Sequence, residues 1–274
     1  MTIDFRDSAV LVTGGTRGVG KAIGKEFSRA GATVVLTHRW GSVSEAELVE
    51  EFGAEHLAAP LVVESDVSDP ASTRALMAEI ARLRLPLRAI VSNVAFAKTV
   101  GGIDDLKRGS LELSLRYSTW PIVELPEAAR QVLGRYPRYL VAISTDGGSV
   151  CHPGYDMAGV AKAALETLCR YLALRLRPEG VRVNVLRPGL VDTASARATF
   201  GDAVVDAARR SPHDPALPPR QVARACVGLC SGLMDSVTGQ VITVDEGASL
   251  LSPITHATGL GWPGPFPVDD GESR

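Results

Sequence analysis

Two side chains capable of chemistry stand seven residues apart, the phenol of Tyr155 and the ammonium of Lys162, in the stretch Ser144-Thr145-Asp146-Gly147-Gly148-Ser149-Val150-Cys151-His152-Pro153-Gly154-Tyr155-Asp156-Met157-Ala158-Gly159-Val160-Ala161-Lys162. An apolar run precedes this stretch at 139–143 and Ala163-Ala164-Leu165-Glu166-Thr167-Leu168 follows it, so it reads as strand, loop and helix. Two helical turns then return both side chains to one face, where they share a cleft. A phenol of ordinary pKa near ~10 becomes a better donor toward a developing oxyanion when a nearby cation lowers that pKa. Alone, such a pair is ordinary on a helix surface; it gains meaning from the rest of the chain.

A second piece of chemistry lies near the N-terminus. The apolar run Ala9-Val10-Leu11-Val12-Thr13 leads into Gly14-Gly15-Thr16-Arg17-Gly18-Val19-Gly20 and then a helical pattern over 21–29. Glycines between a buried strand and a helix let the backbone approach a pyrophosphate held by the N–H groups at the helix start.

The elements that must position these groups follow in alternation. Strands are expected over 9–13, 33–37, 61–64, 87–91, 139–143, 181–186 and 241–244. Helices are expected over 42–52 with Ser/Glu capping character, from Asp69-Pro70 to about 83, over 111–133 with interruptions at Pro121 and Pro126, and over 154–176 and 221–233. Alternation of this kind means a parallel sheet covered on both faces, a single-domain, doubly wound α/β fold of Rossmann type over 1–250 with a tail over 251–274. Ligands of such sheets lie beyond the carboxyl ends of the strands, so Gly14–Gly20, Ser65-Asp66, 92–97, 144–155 and 188–193 converge on one edge.

Composition narrows the partners. With 274 residues and 45% hydrophobic content the chain buries a large core, and 29 Lys+Arg against 31 Asp+Glu leaves a net charge of −2 without a long basic block, which speaks against nucleic acid or a membrane surface. No apolar stretch has the length of a membrane span and the N-terminus lacks a signal-peptide core, so the expected location is cytoplasmic. Cys151, Cys169, Cys226 and Cys230 fit neither a disulfide framework nor a zinc cage; they read as small buried hydrophobes, and no metal site is expected.

With these segments in place, the chain resembles the short-chain dehydrogenase/reductase family over roughly its first 250 residues. The resemblance rests on Thr13–Gly20, Asp66-Val67, Ser92-Asn93-Val94-Ala95, Ser144-Thr145, Ala161-Lys162-Ala163-Ala164-Leu165, Arg187-Pro188-Gly189 with Thr193, and Gly239–Asp245. Most members carry tyrosine four residues before the lysine, where this chain has Ala158. The Tyr-x6-Lys spacing of Tyr155 and Lys162 is similar to the enoyl-acyl-carrier-protein reductase branch, as are 154–166 and Val94-Ala95-Phe96-Ala97. The helix asparagine that many ketoreductases use to hold a relay water has no clear counterpart in Leu113-Ser114-Leu115-Arg116-Tyr117-Ser118.

What the resemblance implies for the site is specific. Gly14, Thr16, Arg17, Gly18, Val19 and Gly20 would receive the pyrophosphate, Lys162 the nicotinamide ribose, and Pro188, Gly189 and Thr193 would lie toward the nicotinamide, Thr193 beside its carboxamide. Asp66 would bond the adenine edge with Val67 packed on it, or else cap a helix; Asn93 to Ala95 would line the ribose, or Asn93 would only tie strands. The second strand ends Leu36-Thr37-His38-Arg39-Trp40 with no carboxylate, so Arg39, together with Arg17, suits a 2′-phosphate and NADPH is expected over NADH.

Tyr155 would steady an enolate, and Thr145 or Ser144 could add a second hydroxyl. His152 reads as a surface or packing residue, and 194–219, ending in several prolines, as either a helical lid or a plain surface excursion. The tail with Trp262 and Phe266 reads as disordered or as docking on a neighbouring subunit. The expected activity is NADPH-dependent reduction of an α,β-unsaturated acyl thioester by a homotetramer or homodimer, one cyclic candidate being 1-cyclohexenylcarbonyl-CoA. The alternatives are a carbonyl reductase and a catalytically silent NADP-binding protein.

Overall fold

The computed structural model describes residues 3–39, 44–96, 98–211 and 216–252. Seven strands form one sheet in the order β3-β2-β1-β4-β5-β6-β7, every neighbouring pair parallel. They are β1 (Ala9–Val12), β2 (Thr33–His38), β3 (Leu61–Glu64), β4 (Leu87–Ser92), β5 (Tyr139–Ile143), β6 (Arg182–Pro188) and β7 (Val241–Val244). The helices among the described residues are α1 (Gly18–Arg29), α2 (Glu45–Ala54), α3 (Pro70–Arg82), α4 (Arg108–Ser118), α5 (Pro121–Leu133), α6 (Asp156–Arg175), α7 (Ala194–Phe200), α8 (Asp202–Arg209) and α9 (Pro219–Leu229).

The central strands β1 and β5 are apolar throughout because both faces are covered. Along β1, Val10 and Val12 pack with Ile23 and Phe27 of α1 and Val222 and Cys226 of α9, while Ala9 and Leu11 pack with Leu76 of α3, Leu125 of α5 and Leu165 of α6. Truncating one such fully buried leucine to alanine costs about 2–5 kcal/mol. Strand order reverses at β1 and β4, which opens a crevice beyond their carboxyl ends.

Several helix boundaries follow from local chemistry. Ser44 and Glu47 form a reciprocal capping box on α2; of the expected 42–52 helix, 42 and 43 lie outside the described residues. Asp69 caps α3 by accepting from Ala71 and Ser72, with Pro70 in the first turn, so Asp66 is not the cap. The helix expected over 111–133 is two helices: α4 ends at Ser118, and Pro121, which has no N–H to continue the ladder, opens α5, which then runs through Pro126. The helix expected over 221–233 begins earlier, at Pro219, and ends at Leu229.

The segment after β6 is helical. A parallel bridge between Val191 and Leu217 stitches its base, and Val205 of α8 is fully buried. Arg197 of α7 joins Asp192, Asp202 and Asp206, binding α7 and α8 to the loop that leaves β6. Of the expected tail, 253–274 lies outside the described residues, as does Trp40 beyond β2. No helix among the described residues is long and apolar enough to cross a membrane, and no cluster of metal-ligating side chains occurs among them. Cys169, Cys226 and Cys230 are buried; Cys151 is exposed.

Candidate active site

The glycine loop after β1 is shaped for close backbone approach. A side chain on Gly20 would place its Cβ 2.4 Å from the Gly14 carbonyl and 2.6 Å from Asn93 Nδ2, so only glycine fits. Asn93 donates from Nδ2 to the carbonyls of Thr13 (3.0 Å) and Gly14 (3.1 Å), and its own N–H bonds Thr13 Oγ1 at 3.0 Å. This ties the loops after β1 and β4 together. No side chain caps α1 at Arg17, and its first turn carries no acidic residue. Its N–H groups are thus left for an anion, and this cradle fits a dinucleotide pyrophosphate.

At the carboxyl ends of β2 and β3, Arg39 pairs with Asp66 (Nη1 to Oδ2, 2.6 Å), bonds the Tyr117 hydroxyl and lies 5.5 Å over the Tyr117 ring. Asp66 also accepts from the N–H and hydroxyl of Ser68, and the Tyr117 ring meets Phe96 at 5.7 Å. Val67 is buried, Ala95 is exposed, and Ala97 lies outside the described residues. Thr193, after Pro188 and Gly189, caps α7 through its hydroxyl (Ala196 N–H, 3.1 Å) and faces Gly18 of the glycine loop. Thr16 is buried in that loop, with Arg17 and Val19 on either side of Gly18.

Beyond β5 the chain makes a tight turn, Asp146–Gly148, before α6. The Thr145 hydroxyl accepts from the Gly147 N–H at 3.2 Å and is hydrogen-bonded to the Tyr155 phenol. Gly147 permits this: a Cβ there would lie 2.5 Å from the Tyr155 ring. Phe200, the last residue of α7, covers Tyr155 at 5.7 Å between ring centres, and His152 meets both rings edge-on at 6.1 and 5.8 Å. Ala158, where most family members have tyrosine, is half-buried on the first turn of α6.

Lys162 is 3% exposed and donates from Nζ to the Ile143 carbonyl at 2.6 Å. Burial lowers its pKa to about 8. One turn on, Glu166 is buried and accepts from Ser144 Oγ (2.7 Å) and Arg187 Nε (2.9 Å), which leaves Ser144 without a free proton for substrate. Burial also raises the Tyr155 pKa above the ordinary tyrosine range, the Thr145 bond opposing this and the Asp146 carboxylate adding to it. The expectation that Lys162 lowers the phenol pKa is therefore not met, because desolvation outweighs a cation turned toward a backbone carbonyl. A phenol held neutral is a hydrogen-bond donor rather than a proton source.

This fold and site define a nicotinamide-dependent oxidoreductase of short-chain type. A family model described as enoyl-(acyl carrier protein) reductase matches residues 14–249. The 1-cyclohexenylcarbonyl-CoA reductase of Streptomyces collinus is 30% identical over 98% of this chain and 92% of its own length. The enoyl-[acyl-carrier-protein] reductase [NADH] FabI of Escherichia coli (strain K12) is 28% identical over 88% of this chain and 94% of its own. A crystal structure of a dehydrogenase/reductase from Sinorhizobium meliloti 1021 superposes with a TM-score of 0.76 at 25% identity, covering 90% of this chain and 97% of that one. The chain belongs to the short-chain dehydrogenase/reductase family, in its enoyl-reductase-like branch.

Two features of the site escape a reading of the sequence. The Glu166–Arg187–Ser144 network joins three elements, and its only linear trace is Glu166 four residues after Lys162. Contact of Phe200 with Tyr155 has no linear trace, since it lies 45 residues further along the chain.

Proposed function

We propose that the protein reduces the C=C bond of an α,β-unsaturated acyl thioester, carried on acyl carrier protein or coenzyme A, with NADPH as reductant. A cyclic enoyl-CoA such as 1-cyclohexenylcarbonyl-CoA is one candidate, consistent with the name of the Streptomyces collinus relative. The observation that carries this reading is the phenol of Tyr155, backed by Thr145 and roofed by Phe200, in the loop-to-helix corner where Ala158 offers no hydroxyl.

The bound cofactor supplies a hydride to the β-carbon. Charge then gathers on the thioester oxygen, where a preorganised donor acts most strongly. Tyr155 donates to that oxygen, its phenol hydrogen-bonded to Thr145. Lys162, fixed against Ile143, keeps the local potential positive and has protons left for ribose hydroxyls. Phe200 and His152 wall the site with rings suited to an acyl chain.

A carbonyl reductase is the second reading, favoured by the same Tyr155–Thr145 pair, which would serve a ketone oxygen. Against it, the region of the usual relay asparagine holds Ser114, buried and donating back to the Ser110 carbonyl at 2.9 Å. Incubation with NADPH and crotonyl-CoA beside a panel of ketones separates the two. Turnover of ketones alone overturns the enoyl reading, and tight NADPH binding with neither turned over leaves a silent cofactor-binding protein.

NADPH is favoured because Arg39 directly follows β2, where NAD sites carry a carboxylate, although the Escherichia coli relative is named for NADH. A 2′-phosphate would share the guanidinium with Asp66. Arg39→Ala is expected to raise the NADPH KM about tenfold or more while changing that for NADH far less, as measured by steady-state titration of both cofactors. We also infer a cytoplasmic homodimer or homotetramer that binds neither nucleic acid nor membrane.

A further inference from the structure

Hydride delivery leaves the α-carbon of the substrate one proton short, and the groups around Tyr155 differ in their fitness to supply it. Lys162 Nζ, bonded to the Ile143 carbonyl and 3% exposed, is shut off from the solvent that would restore a transferred proton, while Ser144 Oγ is committed to Glu166 and Ser114 Oγ to Ser110. The Tyr155 phenol, buried and beside the Asp146 carboxylate, keeps its proton. What remains against its ring is an imidazole. His152 Nε2 lies 3.0 Å from Asp146 Oδ2, and its ring touches both Tyr155 and Phe200.

We propose that His152, oriented by Asp146, is the acid that protonates the α-carbon of the enolate. This rests on the enoyl-reductase reading above. A carboxylate on one ring nitrogen fixes the tautomer, so that Nε2–H faces Asp146 and Nδ1 carries the transferable proton. The step balances. Hydride forms the β C–H bond and the C=C pair moves onto the thioester oxygen; the enolate pair then takes the Nδ1 proton to form the α C–H bond, and the N–H pair stays on a neutral imidazole.

Solvent restores that proton. The His152 side chain is 31% exposed and that of Asp146 38%, so both reach water as well as the site. Of the groups around the pair, Asp146 comes from the turn after β5 and Tyr155 from the start of α6. Arg187 of β6 lies within the field of Asp146, and α7 contributes the uncharged Phe200.

The test is reduction of crotonyl-CoA by NADPH in D2O, reading kcat and the configuration of deuterium at the α-carbon by NMR. Wild type is expected to deuterate one face. His152→Gln, which keeps a donor to Asp146 but has no proton to transfer, is expected to fall about 100-fold in kcat and to deuterate both faces. Asp146→Asn is expected to lower kcat and weaken the facial preference, with NADPH binding by fluorescence unchanged in both variants. A His152→Gln protein that keeps the wild-type kcat and single-face deuteration overturns the assignment of His152 while leaving the enoyl reading intact. Failure of wild type to reduce any enoyl thioester overturns both.

Discussion

Tyr155 and Lys162 work under opposite consequences of burial: the phenol is held neutral as a donor, and the ammonium is made costly to keep charged. Replacing Tyr155 by Phe removes the oxyanion donor proposed above and is expected to lower kcat about 100- to 1,000-fold with cofactor affinity preserved, as measured by turnover and fluorescence titration. For Lys162 the sign follows from linkage. Its folded pKa of about 8 lies below the unfolded value near 10.5, so between these the unfolded chain binds more protons and stability rises with pH. The wild type is expected to gain roughly 2 kcal/mol relative to Lys162→Met between pH 7.5 and 9.5, as read by guanidinium unfolding.

At the level of elements, the site is a meeting of the turn after β5, the first turns of α6 and the end of α7. Two glycines allow the first contact: Gly147 under the Tyr155 ring, and Gly159 of α6, where a Cβ would come 2.5 Å from the Gly147 carbonyl. Gly147→Ala must push the ring aside. The expected result is a loss of about tenfold or more in kcat with NADPH binding unchanged, because misplacing a donor by a fraction of an ångström acts on chemistry and not on the distant pyrophosphate cradle. Arg197 plays the corresponding part for α7, since its three aspartates hold the helix whose last residue covers Tyr155. The split of 111–133 into α4 and α5 also belongs to this scale. Of the two prolines that interrupt the pattern, Pro121 separates the helices and Pro126 lies inside α5, a difference the sequence does not mark.

Across the whole molecule, the outer face of α6 shows Val160, Tyr171 and Leu174 at 51, 63 and 68% exposure, an apolar stripe on the helix that carries Lys162. In the homodimer or homotetramer proposed above, a second copy would cover this face, and Leu174→Glu is then expected to shift the protein toward monomer in sedimentation velocity. The parallel, doubly covered sheet and the convergence of loops at its carboxyl edge were legible in the chain, while the strand order came with the structure. Strands covered on both faces leave uninterrupted apolar runs, and glycines before a helix mark where backbone must approach a phosphate.

By itself, then, the sequence determined the doubly wound α/β architecture, the family, and the Tyr155–Lys162 spacing, because these depend on periodicity and on residues close in the chain. Tertiary structure alone decided that Arg39 meets Asp66, that Glu166 claims Ser144, and that His152 and Phe200 close on Tyr155. Apart from the local His152–Tyr155 contact, these join segments that approach only after the sheet has formed. Their effect on charge depends on burial, which no linear spacing encodes.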